Sequence, residues 1–145
     1  MYIMKKQNLT RFLEAQQHNY SIALEEIKSG RKTSHWMWYI FPQLKGLGYS
    51  STSKFYGIES IEEAEEYLEH PVLGKRLKEI CSALLHLDTN DAQQVFGSPD
   101  HLKLRSSMTL FSSVKNSDPV FEQVLEKYFS GEKDKKTLES IGKNK

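Results

Sequence analysis

The chain has 145 residues, 38% of them apolar and 27% charged, with 20 basic and 19 acidic side chains and a formal net charge of +1. That length points to one domain with a real core, and the balance is far from that of a disordered chain. The small net charge disfavours nucleic acid as a partner, and a single cysteine rules out an intramolecular disulfide.

Leu9, Phe12, Leu13, Tyr20, Ala23, Leu24 and Ile27 form one helical stripe, and Gly30 is a natural stop after it. Thr33 or Ser34 can cap a short second helix that ends before Pro42. Residues 43 to 52 read as loop, punctuated by Gly46 and Gly48. Ser60 with Glu63 three residues on is a capping-box pattern. Pro71 is expected to begin the next helix, with Leu73, Leu77, Ile80, Cys81 and Leu84 on one face. Asp91 caps a short helix ending near Gly97, and Ser98-Pro99 opens one carrying Leu104, Met108, Phe111 and Val114. Asp118-Pro119 opens another with Phe121, Val124, Leu125 and Tyr128, stopped by Gly131. From Glu132 the tail is rich in lysine. Leu138 and Ile141 allow one last docked turn, with residues 132 to 145 partly frayed.

No apolar/polar alternation bounded by turns occurs, so the fold is expected to be all-α. The expectation is a compact single domain over 1–145 with seven to nine helices, several of them short. No apolar run approaches the roughly 20 residues that span a bilayer, and the start MYIMKKQNL lacks a signal-like apolar region, so a cytoplasmic location is expected.

Chemistry concentrates between Gly30 and Ile58. This stretch holds both tryptophans beside Arg31, Lys32, His35, Lys45 and Lys54, without the plain apolar/polar division of an amphipathic helix. At 100° per residue, Trp36, Met37, Ile40 and Phe41 share one arc, and His35, Trp38 and Tyr39 share the opposite one. One arc must meet the core; the other meets a second layer or lines a cavity. Arg31 and Lys32 lie between a helix stop and a helix start, where cations can hold an anion or simply cap the first helix. Gly46-Leu47-Gly48 is a weak phosphate-loop signal without a preceding strand, and Ser50 to Ser53 read as a cap and its loop. A second unusual segment, Ser106 to Ser113, places five hydroxyls in an otherwise apolar helix, which implies close helix approach or a pocket floor.

The candidate ligand-binding residues are therefore Arg31, His35, Trp36, Trp38, Tyr39, Lys54, Ser107 and Thr109. Trp36 or Trp38 would stack, Arg31 and Lys54 would hold anionic oxygens, and His35, Ser107 and Thr109 would orient polar edges. The five histidines and Cys81 have no metal-ligand spacing, so no metal and no cofactor are implied. No nucleophile elbow, Walker A or zinc-protease pattern occurs, and catalysis stays open.

The blocks GRKTSHWMWYIFPQLKGLGYSSTSKFYGI, EAEEYLEHPVLGKRL and VFGSPDHLKLRSSMTLF resemble a bacterial family known as domain of unknown function 1810, whose members are sometimes mislabelled calpastatin. The likeness runs from about Leu9 to Leu138. It implies an all-α compact fold and no established activity. Two functions remain. One is binding or processing of a small anionic, nucleotide-like or phosphorylated molecule in an aromatic and cationic pocket, with hydrolase or glycosidase chemistry as its enzymatic form. The other is a non-enzymatic protein–protein interaction module.

Overall fold

The structure is a computed structural model that describes residues 9–143. Residues 1–8 of the opening segment read for a signal sequence and the last two residues of the lysine-rich tail lie outside the described residues. Among those described are nine helices and no strand: α1 (Thr10–Lys28), α2 (Met37–Ile40), α3 (Ser51–Tyr56), α4 (Ile61–Glu69), α5 (Leu73–Leu85), α6 (Ala92–Phe96), α7 (Asp100–Ser112), α8 (Val120–Phe129) and α9 (Lys135–Lys143). The all-α fold follows from caps and stops that act locally, and most lie where the spacing predicts.

Gly30 takes φ +86°, which a side chain would oppose, and lets Gly30 N–H donate to the Ile27 carbonyl and Arg31 N–H to the Glu26 carbonyl. Ser60 Oγ accepts from Glu63 N–H, and Glu63 Oε1 accepts from Glu59 N–H, one residue before the cap. Asp91 Oδ1 accepts from Gln93 and Gln94, and Asp118 Oδ1 from Val120. The α5 start differs from expectation. Its first N–H groups, Val72 and Leu73, donate to His70 Nδ1, so the helix begins at Leu73 rather than at Pro71. Within the segment expected to be loop, Ser50 Oγ accepts from Ser53 N–H and starts α3. The tail forms α9, begun by Asp134 Oδ2, which accepts from both the Thr137 N–H and hydroxyl; Thr137 is fully buried.

Two helices sit at the centre. α5 packs against α1, α4 and α8, and α7 packs against α4, α6, α8 and α9. The core joins Phe12, Ile27, Trp36, Phe41, Tyr67, Leu77, Ile80, Phe111 and Phe121, all essentially inaccessible. Each such side chain contributes roughly 1.5–3 kcal/mol of hydrophobic stabilisation. Residues 106–111 of α7 are buried on every side. That explains the hydroxyls: small side chains let neighbouring helices approach. Ser106, Thr109 and Ser113 donate to the carbonyls of Leu102, Arg105 and Thr109 one turn back, so their oxygens cost little to bury.

Between α2 and α4 the chain crosses itself. Lys45 N–H donates to the Ile58 carbonyl and Ile58 N–H to the Gln43 carbonyl, each at 2.8 Å, in a single parallel bridge. Arg11 reinforces it by donating to the carbonyls of Phe55 and Gly57 and pairing with the buried Glu63 at 3.2 Å.

Candidate functional site

The segment leading into α2 is held by one carboxylate. Glu26, in the last turns of α1, accepts from Thr33 N–H (2.8 Å), Ser34 N–H (3.0 Å), the Ser34 hydroxyl (2.5 Å) and Trp36 Nε1–H (2.9 Å). Burial pushes its pKa up, but the bonds from Ser34, Thr33 and Trp36 outweigh that and hold it at about 2. Lys32 N–H donates to the Val95 carbonyl and ties the same segment to α6.

With Trp36 drawn inward to 1% exposure, Met37, Ile40 and Phe41 follow it into the core. The opposite face carries exposed His35 and half-buried Trp38 and Tyr39. These three line a cavity of about 350 Å3 together with Lys32, Met37, Ser50, Thr52, Asp100 and Lys103. Its floor is charged. Asp100, in the first turn of α7, lies 2.9 Å from both Lys32 Nζ and Lys103 Nζ. Burial acts to raise the Asp100 pKa, but the two lysines outweigh it and hold the carboxyl below its ordinary value. Two cations thus face one anion. Lys103 Nζ also sits 4.7 Å from the centre of the Trp38 ring, and Lys32 Nζ 5.1 Å from that of Trp36.

Tyr39 closes one side. Its carbonyl accepts from Gln16, its ring lies 5.2 Å from that of Tyr56, and burial with the neighbouring Tyr56 raises its phenol pKa. Trp38 is backed by Gly48. A Cβ there would lie 2.8 Å from Ser53 Oγ and 3.0 Å from the indole edge, so the close approach requires glycine. Gly48 therefore seats a tryptophan, while Gly46 takes φ +100° with open space around it.

The structure brings together His35, Trp38 and Tyr39 and places the other five candidates elsewhere. Arg31 and Lys54 are exposed and do not line the cavity. Trp36 is core. Ser107 and Thr109 are fully buried in α7, and Thr109 Oγ1 accepts from Asp134 N–H, stitching the start of α9 to α7. Ser50, Thr52, Asp100 and Lys103 were not among the candidates, and Lys32 was read only as one of two cations able to hold an anion or cap the first helix. For Asp100 and Lys103 the local signal was their i,i+3 spacing behind Ser98-Pro99, and it reads equally well as an ordinary helix start.

A planar group could lie against Trp38 with acidic oxygens near Lys32 and Lys103 and hydroxyl contacts at Ser50 and Thr52. Asp100 is engaged by both lysines and is a poor proton acceptor. Cys81 is fully buried with its thiol pKa pushed up by burial and by Asp118, so it is a poor nucleophile. Among the described residues, no group of three His, Cys, Asp or Glu could hold a metal ion, and no helix is long and apolar enough to cross a membrane.

This is a compact all-α protein built around two central helices. The chain belongs to the family described as protein of unknown function (DUF1810), which it matches over residues 6–141. It is similar to the crystal structure of the conserved hypothetical protein Rv1873 from Mycobacterium tuberculosis, with 43% identity and a TM-score of 0.91, over 93% of this chain and 96% of that one. No curated protein matches it.

Proposed function

We propose that the cavity beside α2 binds a phosphorylated planar small molecule of nucleotide type. The observation that carries this reading is the placement of Lys103 Nζ 4.7 Å over the Trp38 ring, in a cavity that also holds Lys32. An aromatic face and two cations on one wall suit a ring joined to an anion. His35, Tyr39, Ser50 and Thr52 supply polar edges for orientation. Adenosine 5′-monophosphate is a suitable probe, with adenosine and ribose 5-phosphate as its halves. Saturating probe at 100 times its dissociation constant adds about 2.7 kcal/mol of stability, several degrees of thermal shift. Trp38→Leu should weaken binding roughly ten- to a hundredfold, the range of one base–aromatic stack. No thermal shift or tryptophan fluorescence change with any nucleoside monophosphate or sugar phosphate would refute the reading.

A second reading, protein docking, draws on Tyr49 at 91% and Phe55 at 60% exposure, both on the chain around α3. It predicts self-association or partner capture that Tyr49→Ser with Phe55→Ser abolishes and Trp38→Leu leaves intact.

A further inference from the structure

Next to the first cavity lies a second of about 360 Å3 that shares Trp38 and Lys103 with it. Gln43, Arg105, Asp134 and Lys136 line it too. Two buried donors on its lining residues lack partners. Gln43 is 97% buried, its side-chain Nε2 has no partner among the described residues, and neither has the buried Nε of Arg105. Buried donors of this kind are rare in a folded chain because each forfeits its bonds to water. The acceptor side is only partly occupied. Asp134 Oδ2 accepts from the Thr137 N–H and hydroxyl, and its Oδ1 lies 3.9 Å from the Arg105 head. Ser106 already donates to the Leu102 carbonyl. What remains are two unused N–H groups on lining residues, with Glu132 and Asp134 beside the Arg105 head, Lys103 paired with Asp100, and Lys136 in the lining.

We propose that this second cavity is a binding site for a compact oxyanion, a phosphate or carboxylate group, with Gln43 Nε2 and Arg105 Nε as its directional donors and the lysines as its charge. The site goes beyond the reading of the first cavity and stands without it. Because Trp38 and Lys103 belong to both walls, a ligand seated in the first cavity can extend an anionic arm into the second.

The test is a titration of 15N-labelled protein with inorganic phosphate and, separately, acetate, following the Gln43 side-chain amide and the Arg105 Nε–H signals. The comparison is Gln43→Met, which keeps the volume and removes the donor. Saturable shifts at both signals with phosphate, weakened at least about tenfold in Gln43→Met, are expected, since a bond from a neutral donor to an anion is worth that much. Acetate acting as well as phosphate would assign a carboxylate; phosphate alone would assign a phosphoryl group. The thermal stability of Gln43→Met should equal or exceed that of the parent, because an unpaired buried amide is gone. Phosphate shifts confined to residues around Lys32 and His35, or affinity indifferent to Gln43→Met, would overturn the proposal and leave the first cavity standing. Shifts at Gln43 with no response to adenosine 5′-monophosphate at Trp38 would support it and remove the reading of the first cavity.

Discussion

Replacing Glu26 should loosen the segment that sets the orientation of α2, and the size of the effect can be worked from its bonds. The carboxylate accepts four hydrogen bonds, one of them from the indole of Trp36, a residue 1% exposed. The donors at Thr33 and Ser34 can recover water when the carboxylate is lost, but the Trp36 N–H cannot. An unpaired buried donor costs about 1–3 kcal/mol, and bonds to a charged acceptor about 1.5–3 kcal/mol each before compensation. Glu26→Ala should therefore cost about 3 kcal/mol, a drop in Tm of roughly 6–12 °C for a chain of this size. Glu26→Gln keeps one good acceptor oxygen and should cost about half as much. The pH dependence has a definite sign. The group's pKa falls from 4.5 to about 2 on folding, so its contribution is complete above the unfolded value and is lost as pH falls through the folded one. Full linkage would set a ceiling near 3.4 kcal/mol, and solvent screening of this partly exposed carboxylate reduces it to about 1–2 kcal/mol. About two fifths of that should survive at pH 3. Urea denaturation of the parent and both variants at pH 7, 4 and 3 measures it. A Glu26→Gln variant within 0.5 kcal/mol of the parent at pH 7, or a gap unchanged at pH 3, would refute the reasoning.

Three further substitutions probe the packing and the cavity floor, one of them a control. Asp100→Asn leaves Lys32, whose side chain is 7% exposed, without its counter-charge, and should cost about 2–4 kcal/mol by urea denaturation. Since the Asp100 pKa is lowered on folding, the gap from the parent should be full near neutrality and narrow in acid, and the more cationic floor should bind adenosine 5′-monophosphate more tightly. Gly74→Ala would place a Cβ 2.0 Å from the Leu68 carbonyl oxygen, where α4 meets α5, and should cost at least about 3 kcal/mol or prevent folding. Lys75→Ala, one residue along on the exposed side of the same helix, should stay within about 0.5 kcal/mol of the parent.

The helices were legible where their signals are local. Ser60, Asp91 and Asp118 act on N–H groups two or three residues ahead, and Gly30 acts through its own φ, so spacing alone places them. Ser50 is readable as a cap, but α3 after it is not, because six residues carry too little periodicity to separate a helix from a hydroxyl-rich loop. In the candidate site, the 100° rotation separates Met37 and Ile40 from Trp38 and Tyr39, although α2 begins after Trp36, whose backbone is not helical, and neither Thr33 nor Ser34 caps it. Glu26, Asp100 and Lys103 could not be read in this way, because their roles arise only when α1 and α7 are brought against residues 32 to 38. The hydroxyls of α7 carried both readings in the sequence. Burial of Ser107 and Thr109 follows from the neighbours α7 acquires, which no property of the helix itself reveals.

The bridge between Leu44 and Ile58 has a further consequence. It turns the chain between them into a closed ring, knotted at its base by two backbone bonds and by Arg11. Ser50, Ser53 and Gly48, which sit inside that ring, give up their backbone freedom, about 1–2 kcal/mol for each residue, at the moment the chain folds. Any molecule that later meets Ser50 or the tryptophan seated on Gly48 finds a wall already set, and its affinity is not diminished by the ordering of a loop.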